Sequence, residues 1–120
     1  MVCCTKVIGR SSGIAGGGEQ RINTYTNSQQ ELPTVAAYGG GFVAVWASYA
    51  QDGSGWGVYA QRYANDGTAV GAEFRVNATT SGEQYDPEVG ALADGRFVVV
   101  WRDNGQDGSS YGVHAQRYNA

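Results

Sequence analysis

Apolar residues along this chain come in short runs separated by glycine-rich punctuation, and no segment sustains a helical period. The runs "FVAVWAS" (Phe42–Ser48) and "FVVVWRD" (Phe97–Asp103) are apolar at consecutive positions. In an extended chain Phe42, Ala44 and Trp46 point to one side and Val43 and Val45 to the other. A strand without polar alternation is covered on both faces, so both runs are expected in the middle of a stacked sheet. Three further strand candidates accompany each run. The first is Thr34–Tyr38, copied as Glu88–Leu92. The next is Trp56–Tyr63, copied as Tyr111–Tyr118. The last is Glu73–Asn77, reached through the turn "NDGT" at Asn65–Thr68, with an earlier counterpart at Gln20–Asn23.

The copying is systematic. Phe42–Asn65 aligns with Phe97–Ala120 at an offset of 55 without a gap, with 14 of 24 positions identical. Upstream the offset is 54, pairing Arg21-Ile22-Asn23 with Arg75-Val76-Asn77, Gln30 with Gln84, and Pro33 with Pro87. The single-residue change falls between Tyr38 and Phe42, where a hairpin turn absorbs it. Naming the strands of one unit A to D, the chain reads D, A-B-C-D, A-B-C.

Four short antiparallel strands per unit describe a β-propeller-type blade, so the expected fold is all-β with two blade equivalents per chain. Residues 1–18 are expected to be a flexible leader, and 19–120 the two repeats, about 20–65 and 73–120. Propellers hold roughly four to eight blades. Two blades cannot close a ring, and each would leave an apolar face in water. Completion by oligomerisation is therefore expected, with D of one chain completing A-B-C of the next. Three chains would give six blades under closed symmetry. The rival organisations are a piece of a longer repeat array and a single β-sandwich of seven or eight strands.

Composition narrows the function classes. The formal charge is −3, the pI is about 4.9, and no basic block occurs, which argues against nucleic-acid binding driven by phosphate contacts. No apolar run approaches the roughly 20 residues of a membrane helix. The start of the chain lacks the apolar core of a signal peptide. Cys3 and Cys4 are adjacent and pair poorly with each other, so they define no disulfide framework and leave the redox compartment open.

The pattern "FRVN…P.V..L.DG.FVVVW…GQDGS..GV.AQRY", carried by Phe74–Asn77, Pro87, Val89, Leu92, Asp94-Gly95, Phe97–Trp101, Gly105–Ser109 and Gly112–Tyr118, resembles a known repeat type. It is similar to repeats of about fifty residues found in tandem in large bacterial surface or secreted proteins, often near haemolysin-type calcium-binding repeats. The resemblance covers about Gln20 to Ala120 and implies a propeller-like fold with an extracellular or cell-surface history. The haemolysin-type nonapeptide itself is absent. Asp52-Gly53-Ser54-Gly55-Trp56 is reminiscent of the Asp-box of sialidase propellers, but its spacing is shorter and it lies between strands B and C.

The candidate ligand residues cluster in the repeated "QDGS" loop. They are Gln51, Asp52, Ser54 and Trp56, with Gln106, Asp107, Ser109 and Tyr111 in the copy. Carboxylate and amide groups beside an aromatic ring suit a glycan, whose hydroxyls hydrogen-bond and whose apolar face stacks. The competing reading makes Asp a turn cap and the glycines suppliers of positive φ, which accounts for every residue type present. No cofactor is expected. Calcium is thinly supported, because such sites gather six or more oxygens and each loop brings one carboxylate.

His114 is the only histidine, and its counterpart is Tyr59, which points to a scaffold position. No Ser-His-Asp set, phosphate-cradling loop or metal-ligand spacing is present. Arg62, Arg117, Arg21 and Arg75 are expected to pair with Glu19, Glu73 or a turn carboxylate and to pack on rings. Trp46 and Trp101 are expected in the core, and Asn77-Ala78-Thr79 matches a glycosylation sequon. The leading expectation is a non-enzymatic module that self-assembles and binds glycan or another surface ligand. A purely structural or adhesive array fragment comes second, and a sialidase-like glycoside hydrolase third, since hydrolysis needs paired carboxylates converging on one pocket.

Overall fold

The computed structural model describes residues 16–105, 108 and 110–120. The expected leader therefore lies mostly outside the described residues, as do Cys3 and Cys4. The described chain is all-β, with seven strands in two antiparallel sheets. Sheet 1 holds β1 (Gln30–Tyr38), β2 (Gly41–Tyr49), β3 (Trp56–Ala64) and β4 (Ala69–Arg75) in that spatial order. Sheet 2 holds β5 (Gln84–Ala91), β6 (Phe97–Asn104) and β7 (Tyr111–Tyr118), also in chain order. Each sheet is a meander of consecutive hairpins, with no crossover between them.

The sheets pack face to face because period-two strands give each sheet an apolar row on this side. Val43, Val45, Val58 and Ala60 of sheet 1, all fully buried, meet Phe97, Val99 and Trp101 of sheet 2, with Val76 joining the cluster. The opposite face of sheet 1 forms a second cluster, in which Ile22 covers Ala44, Trp46, Tyr59 and Tyr63, with Phe42 half-buried beside it. β2 is thus covered on both faces, as its unbroken apolar run requires.

The equally apolar β6 differs. Phe97, Val99 and Trp101 are buried, but Val98 and Val100 on its other face are only half-buried, because among the described residues no further sheet packs there. Gln20–Asn23 also departs from expectation, since it forms no strand. Its copy pairs with β3 through Val76, whose N–H donates to the Val58 carbonyl at 2.7 Å.

Strands β1 and β5 carry the same irregularity. Their pairing shifts between Glu31 and Thr34 and between Tyr85 and Glu88, each time just before a proline. Leu32 and Asp86, one repeat apart, sit at φ of 56° and 53° there. A bulge with one left-handed residue per unit explains why apolar spacing alone places the starts of these strands too late. At the other end of the β1–β2 hairpin, Gly41 has no room for a side chain, since a Cβ would lie 1.9 Å from the Tyr63 carbonyl oxygen.

Three buried polar side chains at the junction of the sheets form a paired chain. Asn77 accepts the Val58 N–H at 2.8 Å and donates to the Thr79 carbonyl at 2.8 Å and to Gln84 Oε1 at 3.0 Å. Gln84 in turn donates to the Asp103 carboxylate at 2.9 Å, and all three side chains are buried. Truncating one member strands the others in a dry site. Asn77→Ala is expected to destabilise the fold by about 2–3 kcal/mol. Asn23→Ala, at the half-buried copy, is expected to cost about 1 kcal/mol or less. Urea denaturation at low protein concentration checks the contrast, and equal losses would contradict it.

Candidate functional site

The loop joining β2 to β3 is built from local chemistry. The Ala50 N–H donates to the Gly55 carbonyl at 2.8 Å, and the Gly53 N–H closes a turn on the Ala50 carbonyl at 3.2 Å. Gly53 takes φ of 87°, which only glycine adopts without strain. Asp52 Oδ1 accepts the Ser54 N–H at 3.0 Å, the side-chain turn that aspartate favours. Its second oxygen, Oδ2, is buried and has no donor among the described residues. It lies over Gly57, where a Cβ would approach to 2.8 Å. The Asp52 charge also acts on Tyr59, whose phenol is pushed above its usual range first by burial and then by that carboxylate.

Gln51 is a tie. It accepts the Ser48 hydroxyl at 2.7 Å and donates to Glu73 at 2.6 Å. The other Glu73 oxygen accepts the N–H and the hydroxyl of Thr24, both at 2.8 Å. One polar chain therefore links the loop, β4 and the N-terminal segment. The hydroxyl of Ser54 donates to the Gly82 carbonyl at 3.4 Å, bringing the loop against the turn that enters β5.

Trp56 begins a row of ring contacts along this rim. It meets Tyr49 edge-on at 5.2 Å and Tyr85 at 5.0 Å between centroids. The Arg102 guanidinium lies 5.9 Å from the Tyr85 ring centre and 4.8 Å from that of Tyr111, and it pairs with Asp86 at 3.1 Å. Tyr111 is 60% exposed. The structure thus brings Trp56 and Tyr111 into one row through Tyr85 and Arg102. Gln106, Asp107 and Ser109 lie outside the described residues. Tyr49, Tyr85 and Arg102 escape a reading based on repetition, because their counterparts are Asn104, Glu31 and Ala47. The useful signal is that difference, an aromatic or cation placed in one copy only.

The Tyr85 hydroxyl donates to the Glu31 carboxylate, joining β5 to β1. That bond, helped by burial, pushes the phenol pKa up to about 12. The two residues occupy the same position in successive units. Beside them a shallow cleft of about 430 Å³ lies between the bulges, lined by Leu32, Pro33, Thr34, Asp86, Pro87 and Glu88.

The remaining singled-out residues serve the scaffold. Trp46 and Trp101 are core residues, and His114 stacks on Trp101 at 6.2 Å. Among the described residues the arginines on the D segments do not take the expected carboxylate partners as ion pairs. Arg21 Nε donates to the Asn23 carbonyl at 2.9 Å and Arg75 Nε to the Asn77 carbonyl at 2.8 Å, clamping the turn that follows. Arg62 packs over the Tyr38 and Phe97 rings, at 5.5 and 5.0 Å. Asn77 of the sequon is 2% exposed with its amide engaged, which closes it to modification in the folded chain. Among the described residues no three His, Cys, Asp or Glu groups converge to hold a metal, and no helix is long and apolar enough to cross a membrane.

The Tyr85–Glu31 bond sets a pH dependence. The folded phenol holds its proton above the unfolded value near 10, so the unfolded chain releases its proton first as pH rises. The contribution is complete below about pH 10 and is lost as pH climbs toward 12. Tyr85→Phe is expected to lower stability at pH 8, with the gap to the parent closing through that window. Denaturant midpoints across the range check it, and a gap independent of pH would contradict it.

No protein-family model, curated protein or solved structure matches the chain, so its fold and site rest on its own residues.

Proposed function

We propose that the chain is a non-enzymatic propeller-type repeat module that self-assembles by stacking its sheets and presents its rim to a surface ligand. The observation that carries this reading is one row of residues in two environments. Val43, Val45, Val58 and Ala60 are all 0% exposed between the sheets. Their counterparts on sheet 2 are the same four residue types, Val98, Val100, Val113 and Ala115. There Val113 is 80% exposed and Ala115 is exposed, with Val98 and Val100 half-buried. Fully burying one valine contributes about 1.5–3 kcal/mol, so a row of this kind favours association. The consecutive meanders, four strands in sheet 1 and three in sheet 2 among the described residues, support blades rather than a Greek-key sandwich. Three chains would supply six blades and leave no open face.

Within this reading the ligand is a glycan, and the observation favouring it is the rim row Tyr49–Trp56–Tyr85–Arg102–Tyr111. Several copies of such a rim would give avidity to weak single sites. A spacer role within a longer array shares the stacking argument and lacks only the ligand. A hydrolase would need two carboxylates facing one substrate. The described pairing of Asp86 with Arg102 and of Glu31 with Tyr85 commits two of the rim's carboxylates to neighbours.

Light scattering or sedimentation is expected to give a mass near three chains, and a compact monomer at all concentrations would overturn the assembly. Val113→Asp is expected to shift the mass to monomer with little loss of unfolding stability, because the side chain is exposed in the single chain. Glycan-array binding by the oligomer is expected to fall with Trp56→Ala or Tyr111→Ala. Silence of the parent on the array would remove the glycan reading and leave the spacer.

A further inference from the structure

Among the described residues sheet 2 holds three strands, and the chain carries a second copy of the segment that extends β4 along the β3 edge of sheet 1. That segment is Arg75-Val76-Asn77, which runs on from the end of β4. It is anchored at three points. The Val76 N–H donates to the Val58 carbonyl at 2.7 Å, and the Val58 N–H donates to Asn77 Oδ1 at 2.8 Å. Val76 also buries its side chain with Phe97, Val99 and Trp101.

The spare segment, Arg21-Ile22-Asn23, already holds the same local shape. Arg21 Nε donates to the Asn23 carbonyl as Arg75 does to Asn77. Asn23 Nδ2 donates to the Tyr25 carbonyl at 2.9 Å and to Gln30 Oε1 at 3.0 Å, reproducing the bonds of Asn77 to Thr79 and Gln84. Ile22 packs with Ala44 and Trp46 as Val76 does with Val99 and Trp101. What the copy lacks is its strand. Among the described residues the Ile22 N–H and Asn23 Oδ1 have no partner of the kind Val58 gives to Val76 and Asn77. The residue one repeat after Val58 is Val113, which pairs with Arg102 on β6 just as Val58 pairs with Ala47 on β2. Its backbone N–H and C=O therefore face the edge of β7 that no described strand covers.

We infer that Ile22-Asn23 of one copy docks on the β7 edge of a second copy, with the Ile22 N–H donating to the Val113 carbonyl and Asn23 Oδ1 accepting the Val113 N–H. The contact is head to tail. It sets the open Val98, Val100, Val113 and Ala115 row of one copy against the Phe42, Ala44 and Trp46 side of the next. It also carries Arg117, exposed here, onto the Phe42 ring, as Arg62 lies over Phe97 within the chain. Because the segment is already folded into its docking shape, little ordering entropy opposes the contact. A head-to-tail contact that closes gives a ring, and one that does not gives a fibre.

This inference rests on the self-assembly reading and is tested separately from it by complementation. Val113→Pro deletes the N–H on a free edge, where proline leaves the pairing with β6 intact. Val113→Ala keeps the N–H and trims the face. Asn23→Ala deletes the acceptor. Alone, Val113→Pro and Asn23→Ala are each expected to associate about tenfold or more weakly than the parent, with Val113→Ala losing less than Val113→Pro. Mixed in equal amounts, they are expected to form a one-to-one pair and nothing larger, since one chain offers only the segment and the other only the edge. Full self-association of both single variants, from an oligomeric parent, would overturn the joint and leave the assembly reading standing. A parent that stays monomeric would overturn both. Amide exchange on the parent needs no variant. The Val113 and Ile22 amides are expected to gain protection on association, and exchange as fast as in the dilute chain would overturn the joint.

Discussion

The contact between the two sheets sets the terms for the rest of the molecule. Val43, Val45, Val58 and Ala60 have no alternation to spare, because the other side of the same strands carries Ala44, Trp46 and Tyr59. A sheet that is apolar on both sides cannot stand alone in water, so each face demands a neighbour. Sheet 2 satisfies one face and Ile22 helps to close the other. The same demand then passes to the outer face of sheet 2, which has the same residues and no cover among the described ones. A repeat of this kind leaves each unit with a face that needs a neighbour.

Polar groups turn that non-directional demand into a defined register. Hydrophobic rows would tolerate sliding, but Asn77 reaches Val58 on one sheet and Gln84 on the other and is satisfied in one arrangement only. Gln84 passes the constraint to Asp103 on β6. In the first unit the same positions hold Asn23, Gln30 and Ser48, and the chain extends through Gln51 to Glu73. Exchanging Asp103 for Ser48 changes the charge buried at that point while the Asn–Gln link stays. Backbone shape, buried amides and apolar rows all repeat together, which is the consistency that makes a fold specific.

Much of this architecture was legible in the sequence. Hairpin order, the double-sided burial of β2 and the core role of both tryptophans follow from apolar spacing and repetition. Strand starts were less legible, because the bulges at Leu32 and Asp86 break the period-two pattern just where β1 and β5 begin. Residues 20–23 carry the sequence of a strand but not its structure, since a strand also needs a free edge beside it. The site was legible only in part. Asp52 and Trp56 are conspicuous because they sit in a repeated phrase, whereas Tyr85 contacts Trp56 and Glu31 from the other sheet and Arg102 across its own. No spacing along the chain encodes that convergence.

Repetition and the aromatic row therefore separate along the chain. Among positions identical in both units, Phe42 and Phe97 pack in the two apolar clusters and Arg62 lies over the Phe97 ring, while Gln51, Asp52 and Ser54 repeat in the loop between the strands. The rim row is made from positions that differ. Trp56 and Tyr111 replace one another, while Tyr49, Tyr85 and Arg102 face Asn104, Glu31 and Ala47 in the other copy. A ring of three chains would thus repeat its scaffold six times but this rim only three times. Any ligand read by the row would meet a threefold array, spaced by two sheets rather than one. Identity between the units thus marks packing and turn positions, and the aromatic row marks where the two units part.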